Sequence, residues 1–412
     1  MRDLFFLKNI FSQSIFLLMS QGLNFVYPLI FTPFLVRELG LTGFGELSFC
    51  IAVATYTAII ISFGVDLRGA GEVAISPREN IFSVFLKVYF PRVYIFLLLC
   101  FFYAISYFLV GEDSFKIAAI LFYAGSLSLI PLWFFQGIQR LSFAVAINGV
   151  LKLLGLYFLT NCEKLSPVTV VFYLSLPSYV AIFVLIIYIY FNFNHNRDQF
   201  SFLDFKGCVD ELIKSVNFFK IAFMSGAISA AGPFWMGFFY SGPEVGVYAI
   251  LDRIYRVTSS LFQVFSQVCY PLVVKAWFNE KGSDKWKTIF LFLISIICVI
   301  LFLFLFFDTF IVNYFQLPIS YLNYYYTILF WFSIAAINNI LGVQYFTALG
   351  KISVYSKSFL ISSCFSIILC LVLTPTLSIQ GVVASLLIGE STLLLCLVFA
   401  FKKSWLSLMI KS

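Results

Sequence analysis

The chain has 412 residues, 62% of them hydrophobic and only 11% charged, with 54 Phe, one His and a formal net charge of +7. A soluble domain has no interior large enough to hide that much apolar surface, because charged residues must cover its outside. A soluble fold is therefore excluded, and the composition describes an all-α integral membrane protein that crosses the bilayer many times.

Taken in chain order, apolar runs of about 18 to 25 residues predict about twelve spans. They lie near 11–35, 44–65, 91–110, 116–135, 142–160, 168–192, 217–240, 245–271, 288–312, 320–345, 354–374 and 380–401. The start, "MRDLFFLKNIFSQSIFLLMS", has a basic segment before an apolar one, as a signal peptide would. No small-residue cleavage site follows, and the apolar pattern runs on through Gln21, Asn24, Pro28 and Pro33, so it reads as a retained first span.

The longest polar interruption, "NFNHNRDQFSFLDFKGCVDELIKS" at 192–215, falls near the middle of the chain. Within it Phe202, Phe205, Val209 and Leu212 recur at helical spacing, which suits an amphipathic helix on the cytoplasmic interface. The expected organisation is an N-terminal six-helix lobe over 1–193, a linker over 194–216 and a C-terminal six-helix lobe over 217–412. The halves echo one another: "RELGLTGFGELSF" with "YSGPEVGVYAILD", and "FQGIQRLSFAV" with "FTALGKISVYS". An even number of spans per half inserts both the same way up, so the pattern predicts two parallel repeats around a central cavity.

Lys and Arg collect in cytoplasmic loops. Here Arg2, Lys8, Arg68, Arg78, Lys87, Arg92, Arg140 and most other basic residues fall on one side of the twelve-span scheme, with Arg37, Lys116 and Lys164 on the other. Both termini are expected in the cytoplasm, and the net charge reflects a basic rim facing anionic lipid heads, with no nucleic-acid partner required. The nine Cys have no metal-ligand spacing, and those within spans, such as Cys100, Cys298, Cys364 and Cys370, read as buried structural thiols.

Signatures of catalysis are missing. The single His195 lies in the polar middle segment, and there is no phosphate-binding Gly-rich loop with a Lys, no HExxH and no GxSxG. No cofactor or metal is implied, and the outer loops are too short for a lumenal active site, so transport is favoured over enzyme activity.

The eighth span, "VYAILDRIYRVTSSLF", carries Asp252, Arg253 and Arg256 within an apolar run. On a helix, Tyr248, Asp252, Arg256, Ser259, Ser260, Gln263 and Gln267 fall near one face. Each charge near the bilayer centre costs about 2.5–3.5 kcal/mol, so this stripe needs a water-filled cavity or polar partners. A purely structural arrangement stays open: Asp252 and Arg256 pair one turn apart, and Arg253 pairs with Glu390, the lone acid of the last span. Shorter polar stripes recur at Gln13, Ser20, Gln21 and Asn24, at Asn148 and Lys152, at Ser225, Ser229 and Pro233, and at Asn338, Asn339 and Gln344. Each alone reads as ordinary interhelix hydrogen bonding. Together with Lys152, Arg253 and Arg256 they suggest a cavity of positive sign, suited to an anion, with Arg offering a fork that matches phosphate oxygens.

The stretches "YPLIFTPFLVRELGLTGFGELSF", "FGVDLRGAGEVA", "FQGIQRLSF", "VGVYAILDRIYRV" and "SIQGVVASLLIGE" give the chain its resemblance. It resembles the O-antigen flippases of the polysaccharide transport family, within the multidrug, oligosaccharidyl-lipid and polysaccharide exporter superfamily. The resemblance covers essentially the whole chain, through degenerate motifs. It implies alternating access by two six-helix lobes in a bacterial cytoplasmic membrane. The implied cargo is a glycan linked to undecaprenyl pyrophosphate, moved from the cytoplasmic to the periplasmic leaflet, with an O-antigen polymerase and chain-length complex as implied partners. On that reading Arg253, Arg256 and Lys152 meet the anionic head, Asp252 holds Arg256 when cargo is absent, and Tyr248, Gln263, Gln21 and Asn24 contact the glycan. Asp252 and Glu390 are the acids to suspect for ion coupling. Two alternatives remain: a multidrug or cation antiporter of the related branch, which usually carries an acid in the first span where this chain has Gln21 and Asn24, and an O-antigen polymerase or membrane sugar-modifying enzyme.

Overall fold

The computed structural model describes residues 2–110, 114–162, 164–193, 205–279 and 283–409, with side chains described between 30 and 402 apart from short stretches and single positions. Among the described residues the chain is helical throughout its length. In a bilayer every backbone N–H and C=O needs an internal partner, and a helix supplies one within a single segment. The helices are α1 (Arg2–Ser62), α2 (Val65–Ile75), α3 (Ile81–Val110), α4 (Ser114–Ser128), α5 (Leu132–Gly137), α6 (Leu141–Thr160), α7 (Pro167–Phe193), α8 (Phe205–Ser229), α9 (Ala231–Phe239), α10 (Pro243–Asn279), α11 (Ser283–Phe306), α12 (Asp308–Tyr314), α13 (Leu322–Asn339), α14 (Ile352–Leu377) and α15 (Ile379–Met409). A π-helix, Ile340–Thr347, continues directly from α13.

Ten helical stretches among the described residues are long and apolar enough to cross a membrane. The two further expected spans, 11–35 and 217–240, correspond to the first part of α1 and to the end of α8 with α9. Helix α1 holds two expected spans in one element, and its backbone breaks at Gly40 (φ 67°, ψ 174°), where a side chain would be strained. The amphipathic segment of the expected linker is not a separate helix, because from Phe205 it runs without interruption into α8. The rest of that linker, including His195, lies outside the described residues.

Contacts group the chain into two compact units, Glu46–Phe234 on one hand and Met1–Gly45 with Trp235–Ser412 on the other. In the first, α2, α3, α5 and α7 close on an aromatic core in which Phe85 lies against Tyr89, Trp133 and Phe134 at centroid distances of 5.0, 6.0 and 5.4 Å. In the second, α10 packs along α11 and α13, and α14 lies along α15. The α14–α15 seam is built from small residues: Ser358, Ser362, Ser366, Cys370 and Thr374 are buried every fourth position, facing Gly381, Ser385 and Gly389. A Cβ at Gly389 would come within 2.6 Å of the Ser366 side chain, so the close approach requires glycine there. Of the thiols expected to be buried, Cys370 is, whereas Cys298 and Cys364 are exposed, because their positions fall on outward faces of α11 and α14.

Candidate functional site

The polar face of α10 is the backbone of the site. Its first turns are sealed in the unit, with every residue from Val245 to Asp252 buried. Tyr248 is fully buried, and its hydroxyl has no hydrogen-bond partner. One turn on, Arg256 Nε donates to Asp252 Oδ2 at 2.6 Å and Nη2 donates to Oδ1 at 3.3 Å. The two-point geometry is the strong form of the Arg–carboxylate pair. The burial is lopsided: the Asp252 side chain is 10% exposed and that of Arg256 is 40% exposed. The acid is thus buried, and the Arg256 side chain is only partly covered. Arg253 is half-buried and, one residue from Asp252, points about 100° around the helix, off the pair's face.

Below the pair the face opens onto a cavity of about 150 Å³. Its polar wall is Tyr255, Ser259, Gln263, Asn338, Asn339 and Glu390, and phenyl rings of Phe262, Phe332 and Phe359 close the rest. Tyr255 stacks on Trp331 with centroids 3.8 Å apart and planes 6° from parallel. The Glu390 carboxylate, expected to pair with Arg253, is held instead by Asn338, whose Nδ2 donates to Glu390 Oε2 at 2.6 Å and to its carbonyl at 2.9 Å.

The π-helix organises the far side of this site. Ser266 of α10 donates to Asn339 Oδ1 at 2.6 Å, and Gln344 Nε2 donates to Ser266 Oγ at 2.8 Å and to its carbonyl at 2.6 Å. In an α-helix Asn339 and Gln344, five residues apart, would point about 140° from each other. In a π-helix, i to i+5 pairing stacks residues five apart, so both reach one serine. The Thr347 hydroxyl, which donates to the carbonyl of Gly342 five residues back at 2.9 Å, follows the same pattern.

The structure brings together Tyr248, Asp252, Arg256, Gln263 and Glu390 in one unit, with Arg253 on a neighbouring face of α10. Lys152 lies in the other unit, half-buried on α6, one turn from Asn148, whose Oδ1 accepts from Ser178 of α7 at 3.4 Å. Gln21 and Asn24 lie outside the residues whose side chains are described.

Two further buried cations were assigned from sequence to the cytoplasmic rim. Arg92 is fully buried in α3: its Nη1 pairs with Asp66 Oδ1 at 2.8 Å, the same nitrogen donates to the Ser128 carbonyl at 3.2 Å, and its guanidinium lies 5.1 Å from the Trp133 ring. Arg68 of α2 is buried and binds both the carboxylate and the carbonyl of Glu211 on α8, with Glu72 at 3.3 Å. Lys214 completes the cluster at 2.8 Å from Glu211. Burial alone raises the Glu211 carboxyl, but the Lys214 hydrogen bond and the Arg68 charge outweigh it and hold the group below the usual carboxylate range. The span expected from 91 begins ten residues earlier, at Ile81, and α3 contains Pro91 and Arg92 in its interior.

These helices define a class of protein. The fold is shared with "Lipid II flippase MurJ, inward closed conformation", at a TM-score of 0.68 and 14% identity, covering 94% of this chain and 87% of that one. It is also shared with an inward-facing multidrug resistance MATE family transporter of the MOP superfamily, at a TM-score of 0.60 and 12% identity over 93% of this chain and 94% of that one. A third likeness is to a MOP superfamily transporter from Pyrococcus furiosus, with a TM-score of 0.56 and 14% identity over 96% and 95% of the two chains. The fold is that of the MOP superfamily transporters. The chain itself belongs to the polysaccharide biosynthesis protein family, whose pattern it matches over residues 8–277. A putative O-antigen transporter of Escherichia coli strain K12 is 29% identical over 153 residues. That match spans 35% of this chain and 36% of the relative, about a third of its length.

Proposed function

We propose that the protein is a flippase carrying an oligosaccharide on undecaprenyl pyrophosphate, an O-antigen unit, from the cytoplasmic to the periplasmic leaflet of a bacterial inner membrane. It does so by alternating access of two six-helix lobes joined at 194–216, with both termini in the cytoplasm. The observation that carries this reading is the lopsided Asp252–Arg256 pair in a chain of the polysaccharide biosynthesis family. A half-exposed Arg fork anchored by a buried acid is suited to exchange one partner for another, because the guanidinium binds phosphate oxygens as it binds a carboxylate. Arg253 and Lys152 add charge for the same anionic head, and Tyr248, Gln263, Gln21 and Asn24 supply hydroxyl and amide groups for sugar. Handover of the glycan to a polymerase and chain-length complex follows from the same reading.

The test is the leaflet distribution of the lipid-linked unit after deletion of the gene, with ligation and polymerisation blocked and sealed spheroplasts probed by an impermeant sugar-oxidising label. The reading requires the unit to accumulate in the inner leaflet and complementation to restore labelling. Normal arrival in the outer leaflet without the protein overturns it.

A further inference from the structure

The first turns of α8 present two faces of opposite character. At about 100° per residue, Cys208, Glu211, Ser215 and Phe219 fall on one side. That side is packed: Cys208 and Ser215 are buried, Glu211 is held by Arg68 of α2, and the Phe219 ring stacks on Phe63 with centroids 4.4 Å apart. The opposite arc, about 160° wide, carries Lys206, Val209, Ile213, Lys214, Val216 and Lys220, all of them exposed. Ile213 is 64% exposed, high for a branched apolar side chain. Lys214 lies at the edge of the arc and donates to Glu211 at 2.8 Å. Lys206 and Lys220 make no ion pair among the described residues. Asp210 is the one acid on the arc.

A surface that alternates lysine with branched apolar side chains suits neither bulk phase. Water leaves Val209, Ile213 and Val216 uncovered, and hydrocarbon leaves the ammonium groups unsolvated. The headgroup layer satisfies both, because apolar side chains reach the acyl boundary while lysines extend to the phosphates. We propose that this arc of α8 binds the headgroups of anionic phospholipids, with Lys206 and Lys220 meeting phosphate and Val209, Ile213 and Val216 entering the acyl boundary. Three lysines against one acid give the arc a net positive charge, which selects anionic over zwitterionic lipid. The same helix runs on without interruption to Ser229, so the basic turns stand at the end of an element that continues toward the expected span at 217–240. Lys214 belongs to both faces: an anionic headgroup competes with Glu211 for its ammonium, so lipid binding bears on how tightly α8 is held to α2. The lipid site stands on its own; that it faces the cytoplasmic leaflet rests on the flippase reading.

The experiment uses the purified full-length protein in neutral detergent with phosphatidylglycerol or phosphatidylcholine added. It follows the unfolding temperature and maps adducts of a photoreactive phosphatidylglycerol. Phosphatidylglycerol is expected to raise the unfolding temperature saturably and phosphatidylcholine to leave it unchanged. Adducts should fall within 205–220 and be competed by unlabelled phosphatidylglycerol. Each lysine near an anionic surface is worth about fivefold in affinity, so Lys206→Gln with Lys220→Gln should weaken half-saturation on the order of twentyfold. Replacing both by Arg should preserve binding, since the charge survives. Equal stabilisation by phosphatidylcholine overturns the site, as does unchanged half-saturation in the Gln variant. Inorganic phosphate that reproduces the effect also overturns it, by removing the need for a lipid. If the Gln variant does not fold, the adduct map of the native chain decides, and adducts confined to other helices sink the proposal. No cargo is present, so these outcomes are separate from the leaflet assay: either can fail while the other stands.

Discussion

Arg92 and Arg256 are both arginines within apolar helices, and the protein holds them in opposite ways. Arg92 is fully buried while its partner Asp66 is 49% exposed. Arg256 is 40% exposed while its partner Asp252 is 10% exposed. In the first pair the cation is locked, under Trp133 and against the Ser128 carbonyl, and the acid faces out. In the second the acid is buried and the arginine side chain is the more exposed partner. A locked guanidinium contributes to a single packing arrangement, whereas an accessible one on a fixed anchor can change partners. Burial of the partner, more than burial of the charge itself, separates a structural arginine from one placed for an anionic ligand.

The comparison breaks most sharply at Arg92. Arg92→Ala should cost about 3 kcal/mol, read as a lowered unfolding temperature and reduced membrane level, because it removes both an ion-pair partner and the group beneath Trp133. A variant as stable as the native chain would show that Arg92 is not a lock. Arg256→Ala should stop outer-leaflet delivery of the lipid-linked unit; because it leaves the buried Asp252 carboxylate unpaired, at a cost of about 3 kcal/mol, it is combined with Asp252→Asn, and that double variant should reach the normal membrane level without delivering the unit. Arg253→Ala should likewise lose transport at normal membrane level. Full transport by the double Ala variant at normal expression would sink the anion-site reading, and loss of the protein itself would make the pair structural. Arg256→Lys sharpens the point, since it should keep part of the activity through charge without the fork.

A smaller effect belongs to the Arg68–Glu211–Lys214 cluster. The folded Glu211 group lies below the ordinary Glu value of 4.5, so its contribution is complete above that value and is lost as pH falls through the lower, folded one. Glu211→Gln should lower stability by about 1 kcal/mol at neutral pH. The gap between the variant and the native protein should then close as the buffer is acidified below that range. A gap that instead widens on acidification would show that burial dominates the charge partners.

Much of this was legible in the residues. Apolar run lengths located the helices because a bilayer leaves the backbone little choice, and the Asp252–Arg256 pair was readable because partners four residues apart lie on one face. The Asn338–Glu390 contact was not, since its partners are 52 residues apart on different helices and no local spacing joins them. The burial of Arg92 was not legible either, since the expected span began at 91 whereas α3 begins at Ile81 and carries Arg92 in its interior. Nor do the residues of Ile340–Thr347 announce a wide turn; each would serve equally well in an α-helix, and only packing against α10 selects the other geometry.

That wide turn is, in effect, one extra residue accommodated without moving the ends of the helix. It should be removable in the same way: deleting Val343 would let the segment relax into an α-helix while leaving Ile352 and everything after it in register. The fold should survive such a deletion, and because Asn339 and the present Gln344 would then stand four residues apart on an α-helix, both should still face Ser266. An extra residue held within a helix in this manner absorbs a length change while leaving the side chains before and after it on the same face.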